Sequence, residues 1–149
     1  MTPDQKAGVI VDQMMAHDAF SQWLGIERLQ DGVGISVLRM TVRQEMTNGF
    51  GIAHGGISFS LADSALAFAC NSHGNKAVSI ECDVNHLKTI SVGDILTASA
   101  QEVSRSNKLG VYEVRVTNQK DELVALFKGL VYRTSENWEI DDTLSSEKT

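Results

Sequence analysis

A chain of 149 residues with 42% apolar and 21% charged residues fits one globular domain and excludes an intrinsically disordered protein. Its formal net charge of −6 argues against nucleic acid as a partner, because nucleic-acid-binding surfaces are basic. No apolar run reaches the roughly 20 residues that a membrane helix needs, and the N-terminus shows no secretory signal pattern. We therefore expect a cytoplasmic protein that neither spans nor binds a membrane.

The first predicted element is a helix over residues 3–25. Thr2, Pro3 and Gln5 form a typical helix start, in which Thr2 is the cap and Gln5 completes a capping box. Apolar residues then recur at roughly helical spacing, although a break near Asp18 is compatible with the pattern.

The middle of the chain predicts a strand, a loop and a second helix. Residues 32–42 alternate between apolar and small or polar side chains, which indicates a strand. Residues 44–53 form a polar, glycine-rich loop. Residues 55–70 carry apolar side chains on every side and a single carboxylate, Asp63, a pattern typical of a helix buried in a core.

The second half of the chain predicts a sheet. Four β-like runs, separated by turn-prone segments, cover residues 77–87, 95–104, 110–118 and 123–133. The last two runs form a predicted hairpin. These elements indicate an α+β fold in which an antiparallel sheet wraps one helix, within a single domain of residues 1–134. The remaining residues, 135–149, are acidic and rich in serine and threonine, so we expect a flexible tail.

The start of the central helix offers two backbone amides, those of Gly55 and Gly56. The first amides of a helix have no intrahelical partner and lie at the positive end of its dipole. Because glycine lets a ligand approach the backbone closely, these amides could stabilise the oxyanion formed when a thioester or ester is attacked. The alternative is an ordinary helix start whose glycines serve tight packing.

Asp63 is the candidate nucleophile or general base. A lone carboxylate in an apolar helix is costly unless it is paired or lines a cavity. The alternative is a residue that faces a solvent gap or caps a neighbouring loop. Gly55 and Asp63 lie about 12 Å apart along one helix axis, which is too far for one active site. Either they serve different functions, or two subunits meet antiparallel and form two composite sites.

Several segments together resemble the hotdog-fold acyl-CoA thioesterases, and specifically their phenylacetate-degradation (PaaI-type) branch. The segments are Asn48-Gly49, His54-Gly55-Gly56, Ser60-Leu61-Ala62-Asp63, Ala67-Phe68-Ala69-Cys70-Asn71-Ser72, Gly110-Val111-Tyr112 and Val124-Ala125-Leu126-Phe127-Lys128-Gly129. The resemblance covers roughly residues 15–133. It implies a hotdog fold, a homodimer with shared sites that usually forms a homotetramer, and hydrolysis of acyl-CoA to the free acid and coenzyme A.

The resemblance also implies roles for individual residues. The amide of Gly55 would polarise the thioester carbonyl, and Asp63 would attack it or activate water. Asn48 would position that water or the carboxylate, and His54 would orient the thioester end. Two alternatives stay open, in which Asn48 is a loop former and His54 is a helix cap. The favoured substrates are phenylacetyl-CoA and its ring-hydroxylated derivatives, with no cofactor.

The chain departs from the family pattern at one place. Many relatives read Asn-Phe-Leu-Arg-Pro where this chain has Asn85-His86-Leu87-Lys88-Thr89. The change makes His86 either a residue of the acyl pocket or its rim, or an exposed strand residue. We expect Arg105, Lys108 and Lys88, with Gly56, to bind coenzyme A, whose phosphates need a local basic site on an acidic protein. For each cation the alternative is a solvated surface charge.

The histidines and the two cysteines show no metal-binding spacing, so we predict no metal and two free thiols, Cys70 and Cys82, in a reducing compartment. Three other functions remain open. One is a thioesterase for medium-chain aliphatic acyl-CoA. The others are a non-catalytic acyl-CoA-binding hotdog protein, which would not need Asp63, and a hotdog dehydratase, which would need a differently placed histidine and carboxylate.

Overall fold

The computed structural model describes residues 1–140, which form a six-stranded antiparallel sheet around one long helix. The helices are α1 (Pro3–His17), α2 (Ala19–Leu24) and α3 (Gly55–Asn71). The strands are β1 (Glu27–Gly32), β2 (Ile35–Thr41), β3 (Asn75–His86), β4 (Ile95–Arg105), β5 (Leu109–Thr117) and β6 (Leu123–Asn137). They lie in the order β1-β2-β4-β5-β6-β3. The predicted α+β architecture, with a hairpin of the last two strands, is confirmed.

The predicted helix over residues 3–25 is in fact two helices. Its start is as expected, because Thr2 and Gln5 form the reciprocal bonds of a capping box. The helix ends at His17, since Asp18 turns its side chain back to the chain and its Oδ1 accepts a hydrogen bond of 2.9 Å from the Ser21 amide. Such a bond caps a new helix rather than continuing the old one.

The strand predicted over residues 32–42 is right only from Ile35 onward. Gly32 belongs to β1, and Val33 and Gly34 form the turn of a hairpin between β1 and β2, where Gly34 has a φ of +72° that favours glycine. β1 itself was not predicted. Its sequence is mostly charged or polar because β1 is an edge strand with largely exposed side chains, so it lacks the apolar alternation of a half-buried strand.

Helix α3 fills the concave side of the sheet. Its apolar side chains, including Leu61, Ala65 and Phe68, are almost completely buried. Leu66 packs against β6 at Gly129, where an added Cβ would come within 2.5 Å of a Leu66 methyl carbon. Glycine at this position therefore allows the helix to approach the sheet closely.

β6 and β3 are the last two strands at one edge of the sheet. Among residues 1–140, β3 is an edge strand that pairs with β6 alone, and its Val78 and Ile80 are 58% and 57% exposed. β6 runs on to Asn137, so the tail predicted from residue 135 starts within a strand. The rest of that predicted tail, residues 141–149, lies outside the described residues. Within residues 1–140, no helix is long and apolar enough to cross a membrane.

Candidate active site

His54 caps helix α3. Its backbone is extended, with φ −60° and ψ 139°, and its Nδ1 accepts a hydrogen bond of 2.8 Å from the amide of Gly56. The sequence offered two free amides at this point, but the imidazole takes one of them. The structure therefore places His54 and Gly56 together as a capped helix start and leaves one amide for a ligand.

The remaining amide belongs to Gly55. Its N–H has no hydrogen-bond partner among residues 1–140, and the residue is exposed at the first position of α3. A Cβ at this position would lie 3.2 Å from Nε2 of His86. The absence of a side chain thus keeps open the space between the helix start and the imidazole.

Gly55 opens onto a cleft of about 370 Å³. Asn48, from the loop before the helix, lies in the same cleft. Its Oδ1 accepts a hydrogen bond of 3.0 Å from the Phe50 amide, which fixes the loop. Its Nδ2 has no partner within the described part of the chain, so Asn48 is both a loop former and a free donor at the cleft.

Two further residues line the cleft: His86, which the sequence offered as either an acyl-pocket residue or an exposed strand residue, and Ser58, which was not predicted. Nδ1 of His86 lies 3.4 Å from Oγ of Ser58, and that hydroxyl donates a hydrogen bond of 3.2 Å to the carbonyl of Gly55. Since the hydroxyl proton is used on the carbonyl, its oxygen is free to accept from Nδ1–H of the imidazole. Only the departure of His86 from the family pattern gave a signal in the sequence. Ser58 gave none.

Asp63 lies in a second cavity, also of about 370 Å³, between α3 and the first half of β3. Its carboxylate is half-buried and has neither a hydrogen bond nor an ion pair to any residue that the structure describes. Burial raises the pKa of the Asp63 carboxyl, and the negative charge of Asp18 raises it further. Ser79 of β3 lines the same cavity.

The Gly55 cleft and the Asp63 cavity are separate in one subunit. No residue lines both of them in the part of the chain that the structure covers. Eight residues of continuous helix separate Gly55 from Asp63, or about 12 Å along the axis. A thioester carbonyl bound at Gly55 is therefore beyond the reach of Asp63 in the same subunit.

The three predicted cations do not form one cluster. Lys88 lines the Gly55 cleft, where its Nζ lies 2.5 Å from Oε2 of Glu122. Arg105 and Lys108 flank the turn between β4 and β5, at the opposite end of the sheet, and Nε of Arg105 lies 3.5 Å from Oε1 of Glu102. The sequence could not show this separation, because it follows from the strand order.

The cysteines are free, Cys70 buried and Cys82 partly exposed. Burial raises the pKa of the Cys70 thiol to about 12, so this residue of the Asp63 cavity stays protonated at neutral pH and is not a nucleophile. Within residues 1–140, no group of three or more His, Cys, Asp or Glu side chains could hold a metal ion.

Comparison with known proteins shows the family and the fold. Residues 50–125 match the family model of the thioesterase superfamily. The acyl-coenzyme A thioesterase PaaI of Escherichia coli is 42% identical over 120 residues, which cover 80% of this chain and 86% of that protein. The structure of E. coli PaaI superposes with a TM-score of 0.89 at 39% identity, over 91% of this chain and 99% of that one.

A hypothetical thioesterase protein from Streptococcus pneumoniae, whose structure contains coenzyme A, superposes with a TM-score of 0.79 at 26% identity. The match covers 85% of this chain and 98% of that one. The chain belongs to the thioesterase superfamily, and its fold is the hotdog fold of PaaI. The resemblance of the sequence to the PaaI-type branch is thereby confirmed.

Proposed function

We propose that the protein hydrolyses acyl-CoA thioesters to the free acid and coenzyme A. The observation that carries the proposal is the pair of unpartnered groups on α3. The Gly55 amide at the start of the helix and the half-buried Asp63 carboxylate further along it are both free among the described residues. The relatives support the substrate class, since E. coli PaaI is an acyl-coenzyme A thioesterase and the S. pneumoniae structure contains coenzyme A.

In this mechanism the thioester carbonyl oxygen accepts a hydrogen bond from the Gly55 amide, which stabilises the negative charge that develops there. Asp63 then acts in one of two ways. As a nucleophile, its carboxylate attacks the carbonyl carbon, the C–S bond breaks, coenzyme A leaves as the thiolate, and water hydrolyses the resulting anhydride. As a general base, it takes a proton from a water that attacks the same carbon, and the C–S bond then breaks to release coenzyme A as the thiolate. Single-turnover hydrolysis in oxygen-18 water distinguishes the two routes when water opens the anhydride at Cγ of Asp63, because the first acid product then carries an unlabelled Asp63 oxygen, whereas the general-base route puts the label into the acid.

The active site requires two subunits. β3 is a long edge strand with exposed apolar side chains, a surface that is suited to pairing with a second copy. Antiparallel pairing of two β3 strands about a two-fold axis would bring the Gly55 cleft of one subunit to the Asp63 cavity of the other. Asn48 would then donate from its Nδ2 to the water or to the carboxylate. The resemblance to PaaI extends the proposal to a homotetramer made of two such dimers.

Pairing of this kind predicts where the two-fold axis crosses β3. Gly55 lies beside His86, and the Asp63 cavity is lined by Val78, so these two strand positions should face each other across the dimer. Cys82 is midway between them. We expect a short bismaleimide to join two subunits through Cys82, giving a covalent dimer on a denaturing gel. The variant Cys82→Ser should remain uncrosslinked, and efficient crosslinking of that variant would contradict the register.

Shared sites also predict complementation between inactive subunits. A heterodimer of a Gly55→Pro subunit and an Asp63→Asn subunit contains one site with both defects and one with neither. We expect verified heterodimers to recover about half the wild-type activity per dimer, whereas each homodimeric variant stays inactive. Separately tagged subunits, co-expressed and purified through both tags, provide the measurement. Inactive heterodimers with intact wild-type controls would exclude the composite site.

The proposed acyl group rests on one relative. Phenylacetyl-CoA or hydroxyphenylacetyl-CoA is favoured because the E. coli relative comes from the phenylacetic acid degradation operon.

Lys88 at the rim of the cleft is the nearest predicted phosphate ligand for coenzyme A. Arg105 and Lys108 lie at the end of the sheet nearer the Asp63 cavity, so they would come from the other subunit. The free thiols suit the reducing cytoplasm.

The direct test is release of free thiol from a panel of acyl-CoA thioesters, including phenylacetyl-CoA and medium-chain aliphatic acyl-CoA. Turnover of any of them, lost in Asp63→Asn, supports the proposal. Tight binding without thiol release would indicate the non-catalytic acyl-CoA-binding alternative, and hydration of an enoyl-CoA would indicate the dehydratase.

A further inference from the structure

The Asp63 cavity has polar groups at both ends and a largely apolar wall between them. Asp63 and Ser79 lie at one end, and Asn71 and Lys76 lie at the other, beside Trp138. The apolar lining side chains are Met14, Leu66, Ala67, Ala77, Val78 and Trp138. A thioester whose carbonyl lies beside Asp63 has a polar pantetheine arm on one side and an acyl group on the other, and the apolar part of the cavity matches the acyl group.

Trp138 lies at the far end of this cavity. The cavity follows α3 from Asp63 to Asn71, eight residues or about 12 Å along the axis. The indole Nε1–H donates a hydrogen bond of 2.9 Å to Oδ1 of Asn71. An acyl group that extends along the helix from Asp63 therefore meets the indole at the opposite end.

Trp138 is held in position from several sides. Its backbone N–H donates a hydrogen bond of 2.8 Å to the carbonyl of Gly74, and Nζ of Lys76 lies 5.1 Å from the ring centroid. Its partner Asn71 is only 3% exposed and is itself fixed by hydrogen bonds of 2.9 and 3.0 Å to the backbone of Ala77. Side chains held by such bonds are rigid, so the indole forms a fixed wall.

The segment after the indole is tied down as well. Nε2 of Gln13 on α1 donates a hydrogen bond of 2.8 Å to the carbonyl of Glu139. The chain therefore crosses from the end of β6 to α1 over the end of the cavity. Residues that the sequence assigned to a flexible tail instead contribute a wall of a ligand-sized space.

We propose that Trp138 is the specificity-determining residue of the acyl site, and that its indole limits the site to acyl groups that fit within the roughly 12 Å between Asp63 and Asn71. This inference rests on the proposed function and adds to it the residue that limits the length of the acyl group. Groups shorter than this distance, phenylacetyl among them, fit between Asp63 and the indole, whereas long aliphatic chains collide with it.

The test compares kcat/KM for phenylacetyl-CoA and for straight-chain thioesters from butyryl-CoA to palmitoyl-CoA. We expect the wild-type values to fall by about tenfold or more once the chain reaches the indole, the discrimination typical of an apolar pocket. Trp138→Ala should move this fall to longer chains and leave butyryl-CoA within about threefold of wild type. Trp138→Phe, which keeps a ring but loses the bond to Asn71, should give an intermediate profile.

Trp23→Ala is the matched control, because Trp23 is the other tryptophan and lies on α2, 48% exposed and outside the cavity. It should keep the wild-type chain-length profile. An unchanged profile in a folded Trp138→Ala protein, or an equal loss for all chain lengths, would overturn the assignment. Absence of turnover with every thioester in the wild type would instead refute the proposed function.

A binding measurement tests the same wall without turnover. In a Trp23→Phe/Asp63→Asn protein, Trp138 is the one remaining tryptophan. We expect its fluorescence to change when phenylacetyl-CoA is added and to stay constant with coenzyme A alone. Equal responses to both ligands would show that the acyl group does not reach the indole.

Discussion

Replacing Asp63 with asparagine should lower kcat by roughly 10²–10⁴-fold, the contribution typical of a positioned acid or base. The substitution keeps the size of the side chain and removes its charge, so KM for an acyl-CoA should change much less than kcat. Thiol release measured over a range of substrate concentrations separates the two constants. Turnover close to that of the wild type would contradict the assigned role of the carboxylate.

The pH dependence gives a second readout of the same group. Because burial and Asp18 raise the pKa of Asp63, the wild-type enzyme should lose activity on acidification at a higher pH than an ordinary aspartate, whose pKa is about 3.9, would give. Asp18→Asn keeps an effective helix cap but removes the neighbouring charge. In this variant the acid limb of kcat/KM should therefore move to lower pH.

Stability should respond in the opposite direction to activity. Folding raises the Asp63 pKa, so the folded protein binds this proton more tightly than the unfolded chain does. The ionised carboxylate therefore destabilises the fold above the folded-state pKa, and this cost disappears as the pH falls below the unfolded-state value. The melting temperature of Asp63→Asn at neutral pH should be equal to or above that of the wild type. A large decrease would mean that lost activity reflects unfolding.

The second large effect is expected from Gly55→Pro. Proline has no N–H, and it suits the first position of a helix because its φ is fixed near the helical value. His54 already has the extended backbone that a residue before proline requires, with φ −60° and ψ 139°. The variant should therefore fold, and loss of the oxyanion donor should reduce kcat by about 10²–10³-fold.

Gly55→Ala is the control for this substitution. It also adds a Cβ, 3.2 Å from Nε2 of His86, but it retains the amide hydrogen. Any effect of crowding the imidazole is common to both variants, so the difference in kcat between them measures the N–H alone. If alanine and proline were equally impaired, the contribution of the Gly55 amide would be negligible and the damage would be steric.

Features set by short segments of the chain were predictable from the sequence, and features set by contacts between distant segments were not. The start of α3 and the strands β3 to β6 were predictable, because apolar periodicity and turn residues are properties of short segments. β1 was missed because its exposed edge position leaves no apolar pattern. Whether His54 caps the helix depends on a side-chain conformation, so the sequence left this alternative open, and the bond from the Gly56 amide to its Nδ1 confirms it.

In the candidate site, too, the residues of a single segment were predictable and the contacts between distant segments were not. Asp63 and Gly55 were identifiable as a lone carboxylate and a helix start, and the length of the helix alone separated them. The contact between His86 and Gly55 joins β3 to α3, and that between Trp138 and Asn71 joins residues 67 positions apart. Contacts of this kind arise from the packing of distant segments, and the sequence indicated them only through the departure of His86 from the family pattern.

The free edge of β3 has a consequence beyond catalysis. An unpaired, partly apolar edge strand is a template for uncontrolled association with other chains, and proteins usually blunt such edges with charge, proline or a covering element. In the proposed dimer, the pairing that completes the two active sites also closes this edge. Solubility and activity would then depend on one surface, so a substitution that weakens β3 pairing should increase aggregation and reduce turnover together. Selection against aggregation would thereby help to preserve the geometry of the catalytic site.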